Sequence, residues 1–409
     1  MANLHDVVIV GAGPAGSTAA VFLARAGLSV VLLDKQRFPR DKPCGDLIAP
    51  SVIRTLDELG VGEDLRAASY RIEGVSLTSP GGASVRVETP VHPVFPNYAY
   101  VIKRYHLDEL IRNAAVQAGA RFEGGVRAQG IREEIDGTLT VAGSRLTGSF
   151  EVRARVLVVA VGASLPLIKA AGLAPREVRY SFAARAYYEG LADLGHDIQV
   201  RFDGVTLPGG GWIFPVSPDA ANVGAGYFER SRRTPATASA ALQAFIGHER
   251  LQSTFTHARQ TDSVKGFPLR TDFHRSPVMK DRILLIGEAA GLVNPLTGEG
   301  ISYAVASARM AAQVVQGCFD RGDLSTTGLS RYERLLRGRY QRMFTHTNRL
   351  RRLYLNRPLL ESMVRASNRW PEIAELAMGV LLSYQAPGSL LRMGVLAKAV
   401  RSLRPARSG

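Results

Sequence analysis

Cysteine is nearly absent from this 409-residue chain, which has only Cys44 and Cys318. Two cysteines exclude a disulfide-built scaffold and leave too few thiolates for a Cys-rich zinc or iron–sulfur site. The eight histidines show no HExxH or other tight metal spacing. His92, His106 and His346 therefore read as scattered surface or core residues, and no metal is expected. There is no Gly-x-Ser-x-Gly elbow of a hydrolase and no Walker loop of a nucleoside triphosphatase. No zinc-finger, basic-zipper or RNA-binding signature is present, so nucleic acid is not an expected partner. The apolar start, Val7 to Val10, is far too short to cross a bilayer, and no charged segment and apolar stretch precede it as in a secretory signal. The expected location is the cytoplasm.

Acidic residues are scarce toward the C-terminus. From Arg331 to Gly409 there are 16 arginines and lysines against 4 acidic residues, so this stretch holds +12 of the chain's net +15. A basic region of this kind suits anionic lipid at the inner face of the cell membrane or an acidic protein partner, and equally a solvated surface. Its pattern from Leu329 onward is helical, and packing helices are the ordinary reading.

Glycine, by contrast, is abundant, at 41 residues, and it clusters. Asp6-Val-Val-Ile-Val10 reads as a buried strand. Gly11-Ala-Gly13-Pro-Ala15-Gly16 follows at once, then an Ala-rich helix from Ser17 to Ala26, then a second strand, Ser29 to Leu33, ending at Asp34. This is a strand, tight turn, helix and strand with an acid at the end. Gly11 allows the turn, Gly13 lets the backbone approach a pyrophosphate, and Gly16 lets helix and strand pack closely. The helix N-terminus offers free amides to phosphate. Asp34 can accept from a ribose hydroxyl. The unit predicts dinucleotide binding without choosing between FAD and NAD.

Three further segments narrow the choice: Asp34-Lys35-Gln-Arg37-Phe-Pro-Arg40-Asp-Lys42-Pro-Cys44-Gly45-Asp46; Gly211-Trp212-Ile-Phe214-Pro215 with Asn222-Val-Gly-Ala-Gly226; and Asp281 to Gly291 with Asn294-Pro295-Leu-Thr-Gly298-Glu-Gly300-Ile301. With the fingerprint, these resemble the geranylgeranyl reductase family of FAD-dependent oxidoreductases, within the para-hydroxybenzoate-hydroxylase-like group, over roughly Asp6 to Arg352. The resemblance implies FAD as cofactor. It also implies an α/β (α+β composite) fold, in which a Rossmann-like FAD-binding domain is interleaved with an antiparallel β-sheet substrate domain and followed by a C-terminal helical region. The expected FAD-binding parts are 1–75, 101–165 and 276–325. The expected substrate parts are 76–100 and 166–275, and 326–409 forms the basic helical region.

The resemblance also assigns roles. Gly11, Gly13, Ala15, Gly16, Asp34, Lys35, Arg40, Gly45, Arg104, Gly162, Gly287, Glu288, Pro295, Gly298, Gly300 and Ile301 are expected at the cofactor. Arg37 and Lys42 join them as candidates for adenosine, phosphate or substrate, and Asp108 is a capping or helix residue. Backbone amides of Gly298, Glu299 and Gly300 are suited to the flavin pyrimidine carbonyl. Cys44 is expected beside the flavin, although a lone cysteine is usually a small buried hydrophobe. Trp212, Phe214 and Tyr227 are expected to line the substrate pocket, and Trp212 reads equally as a core anchor. Cys44, a water or Tyr303 is expected to donate the proton. Two departures stand out. Val161-Gly162-Ala163-Ser164 lacks the acid that relatives carry before the glycine, and Gly210 replaces an aromatic, opening space beside Trp212 and Phe214.

The implied reaction is hydride transfer from flavin N5 to a C=C bond of a prenyl chain or a related lipid or terpenoid. Electrons would come from transient NAD(P)H or a ferredoxin-like donor, since no second dinucleotide fingerprint exists. The alternative is an FAD-dependent monooxygenase acting on a polyketide or terpenoid. A halogenase ranks lower because its Trp-x-Trp-x-Ile-Pro motif is missing. A non-catalytic FAD- or lipid-binding protein ranks low because the loop at Gly298 to Gly300 is intact.

Overall fold

The computed structural model describes residues 3–228, 235–382, 385 and 387–402. The first apolar run becomes the strand Leu4–Val10, whose residues Val7, Val8 and Ile9 are wholly buried. Parallel strands flank it on both sides, Val30–Asp34 and the second half of Gly148–Val159. Ile283–Leu285 and Arg121–Gly124 extend the parallel sheet outward. A parallel sheet must be covered on its faces, which is why these strands are continuously apolar rather than alternating. The helices Pro14–Arg25 and Ile301–Asp320 pack on one another against it. Their N-termini face the crevice at the carboxyl ends of the strands, where ligands bind in open sheets of this kind.

Two glycines make that crevice sterically feasible. Gly11 has φ +106°, and a Cβ there would sit 2.3 Å from the Ala160 carbonyl oxygen. A Cβ on Gly16 would sit 1.8 Å from the Gly11 carbonyl oxygen. An antiparallel meander, Arg127–Glu133, Leu139–Arg145 and the first half of Gly148–Val159, hangs from the same sheet. Read as sequence, Ile131 to Val156 is β-rich with turns at Asp136-Gly137 and at Gly143, and the first of these forms there. The one expected at Gly143 does not: Gly143 lies within a strand at a register shift, and a Cβ there would be 2.1 Å from the Arg127 carbonyl oxygen. The chain reverses at Leu146–Thr147 instead.

A second sheet runs in the order Arg259–Gln260, Tyr180–Glu189, Ala220–Tyr227, Gly209–Pro215, Asp197–Arg201, Gly74–Thr78 and Ser84–Glu88. Lys265–Arg270 pairs with the other half of Tyr180–Glu189. All neighbours are antiparallel except Asp197–Arg201 with Gly74–Thr78. Alternation separates its faces. Ile213, Val223 and Ala186 point to a core under the helix Ala238–Ile246. Trp212, Phe214 and Asn222 point the other way, in two registered rows, Arg185–Gly224–Trp212 and Tyr187–Asn222–Phe214.

The basic region folds into the helices Arg331–Tyr354, Arg357–Arg369, Pro371–Leu381 and Met393–Ser402. The first buries Tyr332, Leu336 and Phe344 and exposes Arg334, Arg342 and Arg349. Val364, Ala374, Met378 and Leu382 of the next helices cluster with Val85, Val87 and Phe214, covering the second sheet at its Ser84–Glu88 edge. Among the described residues no helix is long and apolar enough to cross a membrane. The tight packing at Gly16 yields one expectation. Gly16→Ala should destabilise the protein by about 1–3 kcal/mol or more through overpacking, measured by chemical denaturation. An unchanged midpoint would show that helix and turn can separate freely.

Candidate active site

A cavity of about 1230 Å³ runs from the fingerprint loop, along the face of the second sheet, to the C-terminal helices. That exceeds the ~300–1,000 Å³ of a pocket for one drug-sized ligand. At its near end, the Asp34 carboxylate accepts from the Ala12 amide and the Gln36 amide, each at 2.8 Å, which holds the loop on the second strand. Arg104 and Arg40 approach from above. Arg104 is buried and donates to both oxygens of Asp108 at 2.7 Å, while Arg40 reaches Asp108 at 2.8 Å. Asp108 is therefore more than a helix residue, and it caps nothing. It is a fully buried anion that aims two guanidinium groups at the glycine loop.

Gly13 sits under those groups. A Cβ there would meet nothing closer than Arg40 Nη2 at 3.6 Å and Arg104 Nη2 at 3.9 Å. Among the described residues no protein atom requires a glycine at this position, and the space suits a ligand that the two cations and the helix N-terminus can hold. This is the fit expected of a dinucleotide diphosphate.

Farther along, Lys42 pairs with Glu288 at 3.1 Å, and Glu288 also accepts from the Arg270 amide at 3.2 Å. Both side chains lie within 3.4 Å of where a Gly162 Cβ would be. This pair occupies the neighbourhood of the acid missing before Gly162. Cys44 lines the cavity half-buried, and burial pushes its thiol up although Arg104 lies beside the sulfur. Trp212 lies flat on Gly224, where a Cβ would come within 1.9 Å of the ring, and its indole N–H donates to Asn222 Oδ1 at 2.9 Å. Trp212 is thus both packed in the apolar cluster and exposed to the cavity. Gly210 leaves the nearest side chain, Phe202, 3.8 Å from a Cβ position.

Of the expected site residues, Gly11, Gly13, Ala15, Asp34, Lys35, Arg40, Cys44, Gly45, Arg104, Gly162, Trp212, Phe214, Glu288, Gly298, Gly300 and Ile301 line this cavity. Four do not. Gly16 and Gly287 act one layer behind, Gly287 because its Cβ would lie 3.0 Å from that of Ala15. Pro295 lies outside the wall. Tyr303 is in the core, its ring edge-on to Tyr340 and Phe344 and its hydroxyl accepting from Asn294 Nδ2 at 3.1 Å. It cannot hand a proton to a molecule in the cavity, because the side chain leaves the helix on its core face. Arg37 is exposed and away from the wall. Two loop amides assigned to a flavin carbonyl are already engaged, Gly298 with the Asn294 carbonyl at 2.9 Å and Glu299 with Thr297 Oγ1 at 3.3 Å.

Sequence reasoning missed a second set. Asp46 is fully buried at φ +65°. Its Oδ2 accepts from the Tyr187 hydroxyl and from Asn222 Nδ2, and Asn222 Nδ2 also donates to the Cys44 carbonyl. Arg185, likewise buried, bonds Asp41 and Asp262, and Lys265 joins both carboxylates. The Arg104-to-Asp108 spacing of four was a readable signal. Asp46 and Arg185 gave none, since their partners are more than seventy residues away. Among the described residues no cluster of His, Cys, Asp and Glu could hold a metal.

The FAD binding domain family matches residues 5–346. The chain belongs to that family. It is 38% identical over 353 residues to a menaquinone reductase of Mycobacterium tuberculosis, covering 84% of this chain and 83% of that one. It is 32% identical over 339 residues to digeranylgeranylglycerophospholipid reductase 1 of Methanopyrus kandleri, covering 80% and 84%. A geranylgeranyl bacteriochlorophyll reductase-like structure from Thermoplasma acidophilum superposes with a TM-score of 0.80 over 95% of this chain and 99% of that one, at 21% identity, which bears on fold alone. A flavin-dependent brominase shares the fold in the same sense, with a TM-score of 0.74. The protein is an FAD-dependent oxidoreductase, geranylgeranyl-reductase-like, and the cavity's near end fits the cofactor. The clearance at Gly13 yields a prediction. Gly13→Ala should keep its denaturation midpoint yet lose most of the yellow flavin that the wild type carries at about one per chain, read by absorbance. Full flavin content in the variant would remove the diphosphate from this loop.

Proposed function

We propose that this flavoenzyme reduces a C=C bond in the prenyl chain of a lipid or a prenylated quinone. The observation that carries the reading is the far arm of the cavity. Beyond Trp212 and Phe214 its walls are Leu77, Val85, Val200 and Phe202 from the sheet and Leu359, Met363, Val380 and Leu391 from the C-terminal helices. Among the described residues, no charged side chain stands with these walls. An apolar arm of this kind accepts a hydrocarbon chain by the hydrophobic effect and offers nothing to hold a phenolate. The names of the relatives, reductases of menaquinone and of digeranylgeranylglycerophospholipid, fit the same substrate class.

Reduced FAD, when bound, supplies the hydride from N5. The chain's part is to orient the alkene, exclude water and deliver a proton. Trp212 and Phe214, with ring centroids 6.2 Å apart, form an aromatic wall that favours an electron-poor carbon developing in the chain. The bare positions Gly210 and Gly226 leave the sheet open for the chain beside Trp212. Cys44 is the favoured proton donor, since it lines the cavity and burial keeps the proton on Sγ. One hydride and one proton saturate the double bond.

The electron donor in this reading is transient NAD(P)H or an acidic ferredoxin-like protein. The exposed arginines of the helix Arg331–Tyr354 rest on anionic lipid at the inner face of the membrane. Sedimentation with anionic phospholipid vesicles should weaken steeply as salt rises, and salt-independent or absent binding would remove the membrane from the reading.

The reaction itself is tested without oxygen. Chemically reduced enzyme, mixed anaerobically with prenyl lipids and prenylated quinones, should yield a product two hydrogens heavier as flavin is reoxidised. A product that forms only when air is admitted, heavier by one oxygen, would replace the reductase with a monooxygenase. Cys44→Ala should retain FAD and lose turnover by roughly 100-fold or more, the scale of general acid catalysis. Unchanged turnover would leave water as the donor.

A further inference from the structure

We propose that Asp46 is a positioning residue of the reductase site, which through Asn222 and Tyr187 fixes the Cys44 loop and the Trp212 indole relative to one another. The proposal rests on the reductase reading for its functional consequence, but its geometry is independent of it. Asn222 is the hub. Its Oδ1 accepts from the Trp212 indole at 2.9 Å, and its Nδ2 donates to the Cys44 carbonyl and to Asp46 Oδ2, both at 2.7 Å. An amide with both ends engaged cannot rotate without breaking three bonds. The donor-only indole and the two acceptors, the Cys44 carbonyl and Asp46, all demand the same facing, and Asp46 is the one charged group among them. Tyr187, beside Asn222 in the sheet register, closes the set by donating its hydroxyl to the same oxygen.

Asp46 is held for this task at some cost. Its backbone adopts φ +65°, a region where Asn and Asp are the tolerated non-glycine residues. Its Oδ1 is buried without a hydrogen-bond partner among the described residues, an arrangement that packing alone would not favour. Charged and titratable groups face it from several elements. Arg104 approaches from the helix Arg104–Gln117, and Arg185 and Tyr187 from the strand Tyr180–Glu189. Cys44 lies on its own loop, and Lys103 sits 4.7 Å from the centre of the Tyr187 ring. Arg185 is shared with Asp41 and Asp262, which moderates its pull on Asp46. Burial pushes the Asp46 carboxyl up to about 6, although Tyr187, Asn222 and both arginines oppose it.

The ionised carboxylate makes charge-assisted bonds to both donors, and protonation weakens both. Acidification through about pH 6 therefore loosens the hold of Asp46 on Asn222, and through it on Trp212 and the Cys44 loop. Folding stability runs the other way. The raised carboxyl favours the folded state when protonated, so that contribution is lost as pH rises from about 4 to about 6.

The test uses the fact that the chain has two tryptophans. In a Trp370→Phe background, flavin-free protein should show a Trp212 emission transition centred near pH 6, and Asp46→Asn should abolish it. Asparagine suits the backbone, and flavin uptake by the variant, about one per chain, checks that it folds. With FAD and substrate, wild-type kcat should fall below about pH 6. Asp46→Asn should be flat there and about tenfold or more slower in kcat with KM little changed, the scale of a small misplacement of reacting groups. An emission transition that survives Asp46→Asn, or none at all in the wild type, overturns the proposal. Alkene reduction whose pH profile ignores the substitution does the same. If the emission transition behaves as expected but no prenyl substrate is reduced, the reaction assignment fails and the positioning role of Asp46 stands.

Discussion

The segment from Arg40 to Asp46 is tied down along its length, to both sheets and to the helix Arg104–Gln117. Arg40 reaches Asp108, Asp41 reaches Arg185 and Lys265, Lys42 reaches Glu288, the Cys44 carbonyl reaches Asn222, and Asp46 reaches Tyr187 and Asn222. Among the described residues the parallel sheet and the antiparallel sheet share no strand pairing, so this strap does much of the work of setting the distance between cofactor end and substrate end. Most of these partners are buried or half-buried. There an unpaired charge is severely penalised, so each tie has a strong reason to form in one geometry only.

The antiparallel sheet contributes by omission as well as by side chains. Gly210 and Gly226 leave its inner face open beside Trp212 and Phe214, and Gly224 gives the Trp212 ring the room to lie on the sheet. On the opposite face Ile213, Val223 and Ala186 form an apolar cluster that packs under a helix. One strand, Gly209–Pro215, thus serves core and site at once, because alternate residues of a strand point to opposite sides. The C-terminal helices complete the enclosure. Their net charge drew attention to their outer face, yet their inner face supplies the apolar wall on which the substrate reading depends.

Several features were legible before any coordinates. The fingerprint, its acid, the Cys44 loop, the Trp212 strand and the Gly287–Gly300 segment all line or support one cavity. Local steric rules tie glycine to tight turns and alternation to strands, and both act within a few residues. The misreadings are of another kind. Tyr303 lies next to a cofactor loop in sequence but on the core side of its helix. Gly143 looked like a turn and is a bulge, because the partner strand's carbonyl fills the space a side chain would need.

Sequence alone determined the flavoprotein family, the two sheet types and most of the cofactor wall, because those follow from short motifs whose chemistry is local. Tertiary structure alone decided which polar residues are joined. Asp46, Tyr187 and Asn222 are separated by 141 and 176 residues from first to second and first to third, and Arg185 lies 144 from Asp41. No periodicity links positions so far apart. What links them is the exclusion of water from the junction of the two sheets, where every buried polar group takes the partner that the fold brings within reach.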